Sequence, residues 1–353
     1  MKKTIIWILV LILILSISFV AIGCKEKEVQ DVSETEEVTT NEETTDEEET
    51  SEEVEESVQS YKVGYLTVGL SHPYLTELYT AFKAVIEDAG HEVILFDPEL
   101  DPAVQDTQMD DALAMKVDII DLNALSVDSI GSALKKAYDE GVPVLANHNR
   151  VLEEDQKYTI GYAGPDNYLE GLVAGEYMNT LLDGKGKIVI IEGTPGFDAS
   201  DGRKKGFLDK LEELGSEIEV LAVQPGNFNK AEATAVMEDF LVRFPDIDAV
   251  YGIDDNHAMG AWVAIEEAGI EAGEIKIVGI GGSKEGLAAI DSGIMSGTVS
   301  QQPSDGGKWA AKFILEALNN GIKPPNQLDP YFNYLETPIV TKENVAGFLP
   351  GEW

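Results

Sequence analysis

The stretch KVGYLTVGLSHPYLTELYTAFKAVIEDAGHEVILF, residues 62–96, decides the fold. Its opening run, 62–68, is rich in Val, Tyr, Leu and Thr and reads as a strand. Residues 73–89 space their apolar side chains as one face of a helix, which Gly90 stops. A second β-branched run, 92–96, follows directly. A strand, a helix and a strand in close succession imply parallel pairing.

The same alternation continues along the chain. A helix is expected over 102–115, a strand over 118–122, a helix over 128–140 stopped at Gly141, and a strand over 143–147. Residues 159–163 lead into Gly164-Pro165-Asp166, which breaks the run and starts a helix to Leu182. Strands at 187–191, 219–223, 249–253, 276–280 and 297–300 then alternate with helices at 200–214, 230–243, 256–268, 284–292 and 305–318. The last helix stops near Gly321 and Pro324-Pro325. Two such blocks predict an α/β fold of two similar doubly wound parallel-sheet lobes. In sheets of this kind ligands sit at the carboxyl ends of strands, so two facing lobes make a cleft lined by strand-end loops.

A different segment precedes the folded part. Lys2 and Lys3 are followed by an apolar run from Ile5 to Ile22, broken only by Ser16 and Ser18, and closed by Val20-Ala21-Ile22-Gly23-Cys24. A basic start, an apolar core and small residues at the exit are the layout of an export signal over residues 1–23. The closing five residues resemble the lipobox of bacterial lipoproteins, which implies acylation of Cys24, the chain's single cysteine. An uncleaved transmembrane anchor is the other reading of an apolar run of about 18 residues, and it leaves the rest of the chain equally outside the cytoplasm. Residues 25–60 carry 16 acidic residues against Lys25 and Lys27, and are expected to form a disordered, solvated stalk after Cys24.

Residues 61–353 hold 49 of the 65 acidic and 21 of the 25 basic residues, a net charge of −28. A domain this acidic is repelled by nucleic acid, which excludes a DNA-reading role. Gly279-Ile280-Gly281-Gly282-Ser283-Lys284 follows a strand but lacks the third glycine of a dinucleotide fingerprint. Gly281-Gly282-Ser283-Lys284-Glu285 ends on Glu where a nucleophile elbow needs Gly. His72, His91, His148 and His257 have no metal-binding spacing, so no metal and no cofactor are expected. His91, beside the Gly90 helix stop, is expected at the surface.

Seven local motifs, in order, carry a resemblance that spans the folded part. They are Ser71-His72-Pro73-Tyr74, Gly141-Val142-Pro143-Val144, Gly164-Pro165-Asp166-Asn167, Arg203-Lys204-Lys205-Gly206-Phe207, Asn227-Phe228-Asn229, Asp254-Asp255-Asn256-His257-Ala258-Met259-Gly260 and Val299-Ser300-Gln301-Gln302-Pro303. Together they resemble the type I periplasmic sugar-binding proteins, the ribose and galactose group. The resemblance implies two lobes joined by a three-strand hinge: 61–163 plus 303–328 in one, 164–302 plus 329–353 in the other. It implies a monomer that closes around one sugar or polyol and delivers it to an ABC permease or, in some members, to a membrane receptor. An enzyme on the same fold is the third reading.

A polyol presents apolar C–H faces and a rim of hydroxyls, so selective binding takes aromatic plates and side chains that make two hydrogen bonds each. The resemblance assigns the plates to Tyr74 and Phe228, a forked donor to Arg203 and an amide to Gln301. His72 stands for a family Asn, Asp254 for an Asn, and Leu75 for a second aromatic plate. His148 and Asn149 stand where ribose binders have an Asp-Arg pair, and a slip of one brings in Asn147 or Arg150. Gly281 stands where the family often has an Asp. The ribose pocket is therefore not reproduced, and an amino-bearing or larger polyol fits the acidic lining as well as a neutral sugar.

Overall fold

A computed structural model describes residues 59–353; the expected export signal, Cys24 and nearly all of the expected acidic stalk lie outside the described residues. The described residues form one compact unit. Its first lobe is built on β1 (Lys62–Leu66), β2 (Glu92–Phe96), β3 (Ile119–Leu122), β4 (Val144–Asn147), β5 (Gly161–Pro165) and β11 (Phe332–Leu335). They hydrogen-bond in the order β2-β1-β3-β4-β5-β11, all parallel. The second lobe uses β6 (Lys185–Glu192), β7 (Glu217–Pro225), β8 (Ala249–Gly252), β9 (Lys276–Gly281), β10 (Gly297–Ser300) and β12 (Ile339–Thr341) in the order β7-β6-β8-β9-β10-β12. Here β12 is antiparallel, which departs from the all-parallel expectation at one edge.

Alternate side chains of each strand face opposite layers of helix. In the first lobe Val63, Tyr65, Ile119 and Leu145 pack on α1 (Pro73–Asp88) and α9 (Pro303–Asn320) through Phe82, Ile86 and Ile314. On the other face Leu66, Ile120 and Val144 meet Met109 and Leu113 of α2 (Pro102–Ala114) and Leu134 of α3 (Gly131–Glu140). The second lobe repeats the sandwich. Ile188, Ile190 and Tyr251 pack on α4 (Asn167–Leu181) and α5 (Asp198–Glu213), and Val189, Ile191 and Val250 face α6 (Lys230–Arg243), α7 (Asp255–Glu267) and α8 (Lys284–Ser292). The helix ends follow the sequence: Asp101, Asp166, Asn229 and Ser283 cap N-termini with their side chains, and Gly141, Gly293 and Gly321 close C-termini in the left-handed region.

Among the described residues the chain crosses between lobes at Pro165–Asp166, at Gln301–Gln302 and between Leu335 and Ile339. The last crossing corrects the expected boundary. Residues 329–335 belong to the first lobe, because β11 pairs with β5 and the Trp309 indole N–H donates to the Asn333 carbonyl at 3.0 Å. The helix expected from 128 begins at Gly131. His91 is buried rather than at the surface, held edge-on under Tyr61 with ring centroids 5.2 Å apart.

Each lobe brings two helices together where glycine removes a side chain. A Cβ at Gly307 of α9 would lie 2.2 Å from the Leu78 carbonyl oxygen of α1, and one at Gly206 of α5 would lie 2.0 Å from that of Tyr168 in α4. Replacing Gly307 by Ala is expected to push α1 and α9 apart and lower stability by about 1–3 kcal/mol. Denaturant midpoints of the two chains check this, and equal midpoints would contradict it.

Asp121 of β3 supplies a second test. Its Oδ1 accepts a hydrogen bond from Asn147 at 3.0 Å while Oδ2 is buried without a partner. Burial pushes the carboxyl up to about 7, against the Asn147 hydrogen bond that lowers it. The folded chain therefore keeps a proton that the unfolded chain releases near pH 4, and this contribution to stability is lost as pH rises from about 4 to 7. The variant Asp121→Asn carries no such dependence, so its stability relative to the unmodified chain is expected to improve from pH 4.5 to 7.5. Denaturation at both pH values measures the difference; a difference that does not change with pH would contradict it.

Candidate functional site

The carboxyl ends of strands from both lobes face one another across a cavity of about 570 Å³. All eight residues singled out from the sequence line it: His72, Tyr74, His148 and Asn149 from the first lobe, and Arg203, Phe228, Asp254 and Gln301 from the second lobe and its crossing. Of the two alternatives to the His148-Asn149 pair, neither lines the cavity. Asn147 donates to Asp121, and Arg150 turns to Asp198 of the facing lobe, with Nε and Nη2 3.2–3.3 Å from its oxygens.

Phe228 sits on a strained turn. Asn227 and Phe228 both have positive φ, 49° and 56°, a region that bulky side chains rarely enter. The turn is held by Phe228 N–H donating to His257 Nε2 at 2.8 Å and Asn229 N–H donating to the Gly226 carbonyl at 2.8 Å. The Phe228 ring stacks on His257 on one side and on Phe197 on another, with centroids 5.5 and 6.0 Å apart. Gly193 makes room for it, since a Cβ there would lie 2.3 Å from the ring. The second lobe thus offers an aromatic shelf that includes Phe197, a residue the sequence reading missed although it follows the end of β6.

Arg203, expected as a forked ligand donor, is 2% exposed and anchored from below. Nε donates to Glu170 at 3.0 Å and Asn167 at 3.2 Å, and Nη1 to the Ile253 carbonyl at 3.1 Å. Nη2 makes no hydrogen bond among the described residues, and Arg203 lines the cavity. The nearby Asp201 pairs with Lys204. Burial lowers the Arg203 pKa, but Glu170 and Asp254 more than offset this, so the guanidinium stays charged. Gln301 Nε2 donates to the other oxygen of Glu170 at 2.7 Å, which leaves its Oε1 as an acceptor at the cavity. Burial raises the Glu170 carboxyl, while Arg203 and Gln301 pull it back.

The first lobe contributes a histidine pair. His72 Nδ1 accepts from Tyr74 N–H at 3.3 Å, which places the ring proton of the neutral form on Nε2. Nε2 lies 2.8 Å from Asn256 Nδ2 and 3.9 Å from Asp254 Oδ2; with the ring proton on Nε2, the Asn256 amide turns over so that its oxygen takes that position and accepts. Burial alone would raise the Asp254 carboxyl, yet its neighbours His72, His257 and Arg203 hold it below its ordinary value. His148 takes a positive φ of 62° at the end of β4 and sits 3.5 Å from the Tyr74 hydroxyl. Burial, with Arg203 and His72 nearby, depresses its pKa to about 3, so it serves as a neutral hydrogen-bonding ring. Asn149 donates to Asn123 and the Ala124 carbonyl, both at 2.9 Å, and keeps a buried Oδ1 without a protein partner.

Val68, Leu75, Leu100 and Pro102 give the first lobe's side of the cavity an apolar stretch of wall. Asn256, Thr194 and Leu100 also line the cavity and were not singled out. Asn256 lay within a quoted motif and Thr194 follows the strand β6, whereas nothing local marks Leu100.

A family model described as "Periplasmic binding protein domain" matches residues 63–322. The ribose import binding protein of Bacillus subtilis (strain 168) is 29% identical over 261 residues, covering 74% of this chain and 83% of that protein. A xylitol-binding protein of Mycolicibacterium smegmatis (strain ATCC 700084 / mc(2)155) is 33% identical over 246 residues, 69% of this chain and 67% of that one. Among solved structures, an ABC transporter solute binding protein from Bacillus halodurans C-125 with bound myo-inositol superposes with a TM-score of 0.75 at 25% identity, covering 82% of this chain and 97% of the other. With its two doubly wound lobes, three crossings and matching domain model, the chain belongs to the periplasmic binding protein family in its type I form.

Proposed function

We propose that this protein is a solute-binding protein, not an enzyme, that captures a monosaccharide or related polyol between its lobes and delivers it to an ABC importer. In this reading residues 1–23 direct export, acylated Cys24 anchors the chain to the membrane, and the acidic stretch to residue 60 tethers the monomeric binding domain outside the cytoplasm. Relatives named for ribose and xylitol, and a fold neighbour holding myo-inositol, support a polyhydroxy ligand.

The observation that carries the reading is the unmatched polar chemistry of one cavity shared by both lobes. Arg203, Gln301, Asp254 and Phe228 line it from the second lobe and its crossing, and His148 and Tyr74 from the first. A polyol uses each of them: hydroxyls donate to Asp254 and Gln301 and accept from Arg203, while a C–H face covers Phe228. His72 and Asn149 complete the rim from the first lobe. A micromolar complex needs about 8 kcal/mol. Hydrogen bonds to charged groups, at about 1.5–3 kcal/mol each, and a stacked ring are the largest contributions this lining offers toward that sum.

A thermal-shift series with D-ribose, D-allose, xylitol and myo-inositol tests this reading. At 100 times its dissociation constant a ligand is expected to add about 2.7 kcal/mol of stability, raising the melting midpoint. Silence across the series would contradict a polyol function. Phe228→Ala is expected to weaken the ligand so found by about tenfold or more, through the loss of a half-buried aromatic plate. Titration calorimetry reads the change, and unchanged affinity would remove Phe228 from the site.

A further inference from the structure

The segment Gly351–Trp353 touches both lobes at the edge of the cleft. On the second lobe, the Trp353 carbonyl accepts from Lys284 N–H at 2.7 Å, the Glu352 carbonyl accepts from Lys284 Nζ at 3.0 Å, and the indole N–H donates to the Gly281 carbonyl at 3.4 Å. On the first lobe, the Glu352 carboxylate accepts from Ser304 N–H at 2.8 Å, in the first turn of α9 where negative charge is favoured. The Trp353 indole then meets two cavity residues of that lobe. Its centroid is 5.2 Å from the His72 ring, and Tyr74 meets it edge-on at 5.6 Å.

Gly281 shows that this placement is specific. A Cβ there would lie 2.7 Å from the indole Cζ2, so a side chain at 281 and the indole exclude each other. Gly281 ends β9, one of the strands whose carboxyl end faces the cleft. The chain has filled that strand end with an aromatic ring from a distant segment instead of a polar side chain. Trp353 does not line the cavity, whereas His72 and Tyr74, which it backs, both do.

We propose that Trp353 is a positioning residue of the binding cleft: through the inter-lobe clasp at 351–353 it holds His72 and Tyr74 against the cavity and closes the space above Gly281. The consequence for recognition, which rests on the polyol reading, is that no ligand hydroxyl is held at the end of β9. Charged contacts concentrate on Arg203 and Asp254, and the ligand's far side meets Tyr74 and His72 in orientations fixed by the indole.

The test uses the full chain in detergent with the substitutions Trp353→Ala, Trp353→Phe and Glu352→Ala. Two readouts are taken: affinity for whichever of D-ribose, xylitol and myo-inositol binds the unmodified chain, and amide hydrogen exchange without ligand over residues 71–76 and 281–285. Trp353→Ala is expected to weaken binding at least tenfold and to speed exchange in both loops. Trp353→Phe is expected to restore most of the affinity, and Glu352→Ala to fall between. Affinity within twofold of the unmodified chain together with unchanged exchange in Trp353→Ala would overturn the proposal. If Trp353→Ala does not fold, Glu352→Ala decides by the same two readouts. If none of the polyols binds the unmodified chain, it is the proposed function that fails, and the exchange data alone decide the clasp: faster exchange in both loops supports it and unchanged exchange overturns it.

Discussion

The buried pair of Arg203 and Glu170 is the interaction on which the cleft depends. Both side chains are almost wholly removed from water, at 3% and 0% exposure. A pair in such a place does little for stability, because desolvating two charges offsets most of their attraction. What it supplies is orientation. Glu170 on α4 takes Arg203 of α5 with one oxygen and Gln301 of the β10–α9 crossing with the other. One carboxylate thereby fixes the guanidinium of the second lobe and the amide at a hinge crossing, and turns the spare valences of both toward the cavity. The glycine contacts between α4 and α5 bring the two helices near enough for this pairing.

Around that anchor, polar groups are fixed by the protein so that few of them reorganise on binding. His148 is kept neutral by burial, whereas Asp254 is held below its ordinary value by His72, His257 and Arg203 around it. The lobes touch across the cleft through His72 and Asn256 and through Arg150 and Asp198. Such contacts favour the closed arrangement, and a ligand adds to them only by engaging both lobes, which is how a binding protein couples capture to shape.

Much of this was legible in the sequence, for a physical reason. Buried parallel strands are continuous apolar runs and their helices end on glycine, so both lobes and their repeat could be read locally, as at 62–96. Most of the cavity-lining residues singled out follow strand ends, where ligands sit in such sheets, but it was the motif resemblance that picked them out, and Arg203 lies within α5. What the sequence hid depends on tertiary context. β11 is short and follows Pro330, and only its pairing with β5 assigns it to the first lobe. His91 sits beside a helix stop, and only the packing of Tyr61 buries it. Gly281 read as a missing carboxylate, whereas its lack of a side chain makes room for Trp353, a neighbour that no local pattern announces.

The central claim is that one ligand binds both lobes at once and stabilises their closed arrangement. Small-angle X-ray scattering of residues 57–353, with and without a saturating polyol, addresses it most directly. The account predicts that ligand lowers the radius of gyration and that the liganded curve matches the closed lobes described above. A bound ligand that leaves the scattering unchanged from an open apo form would contradict it.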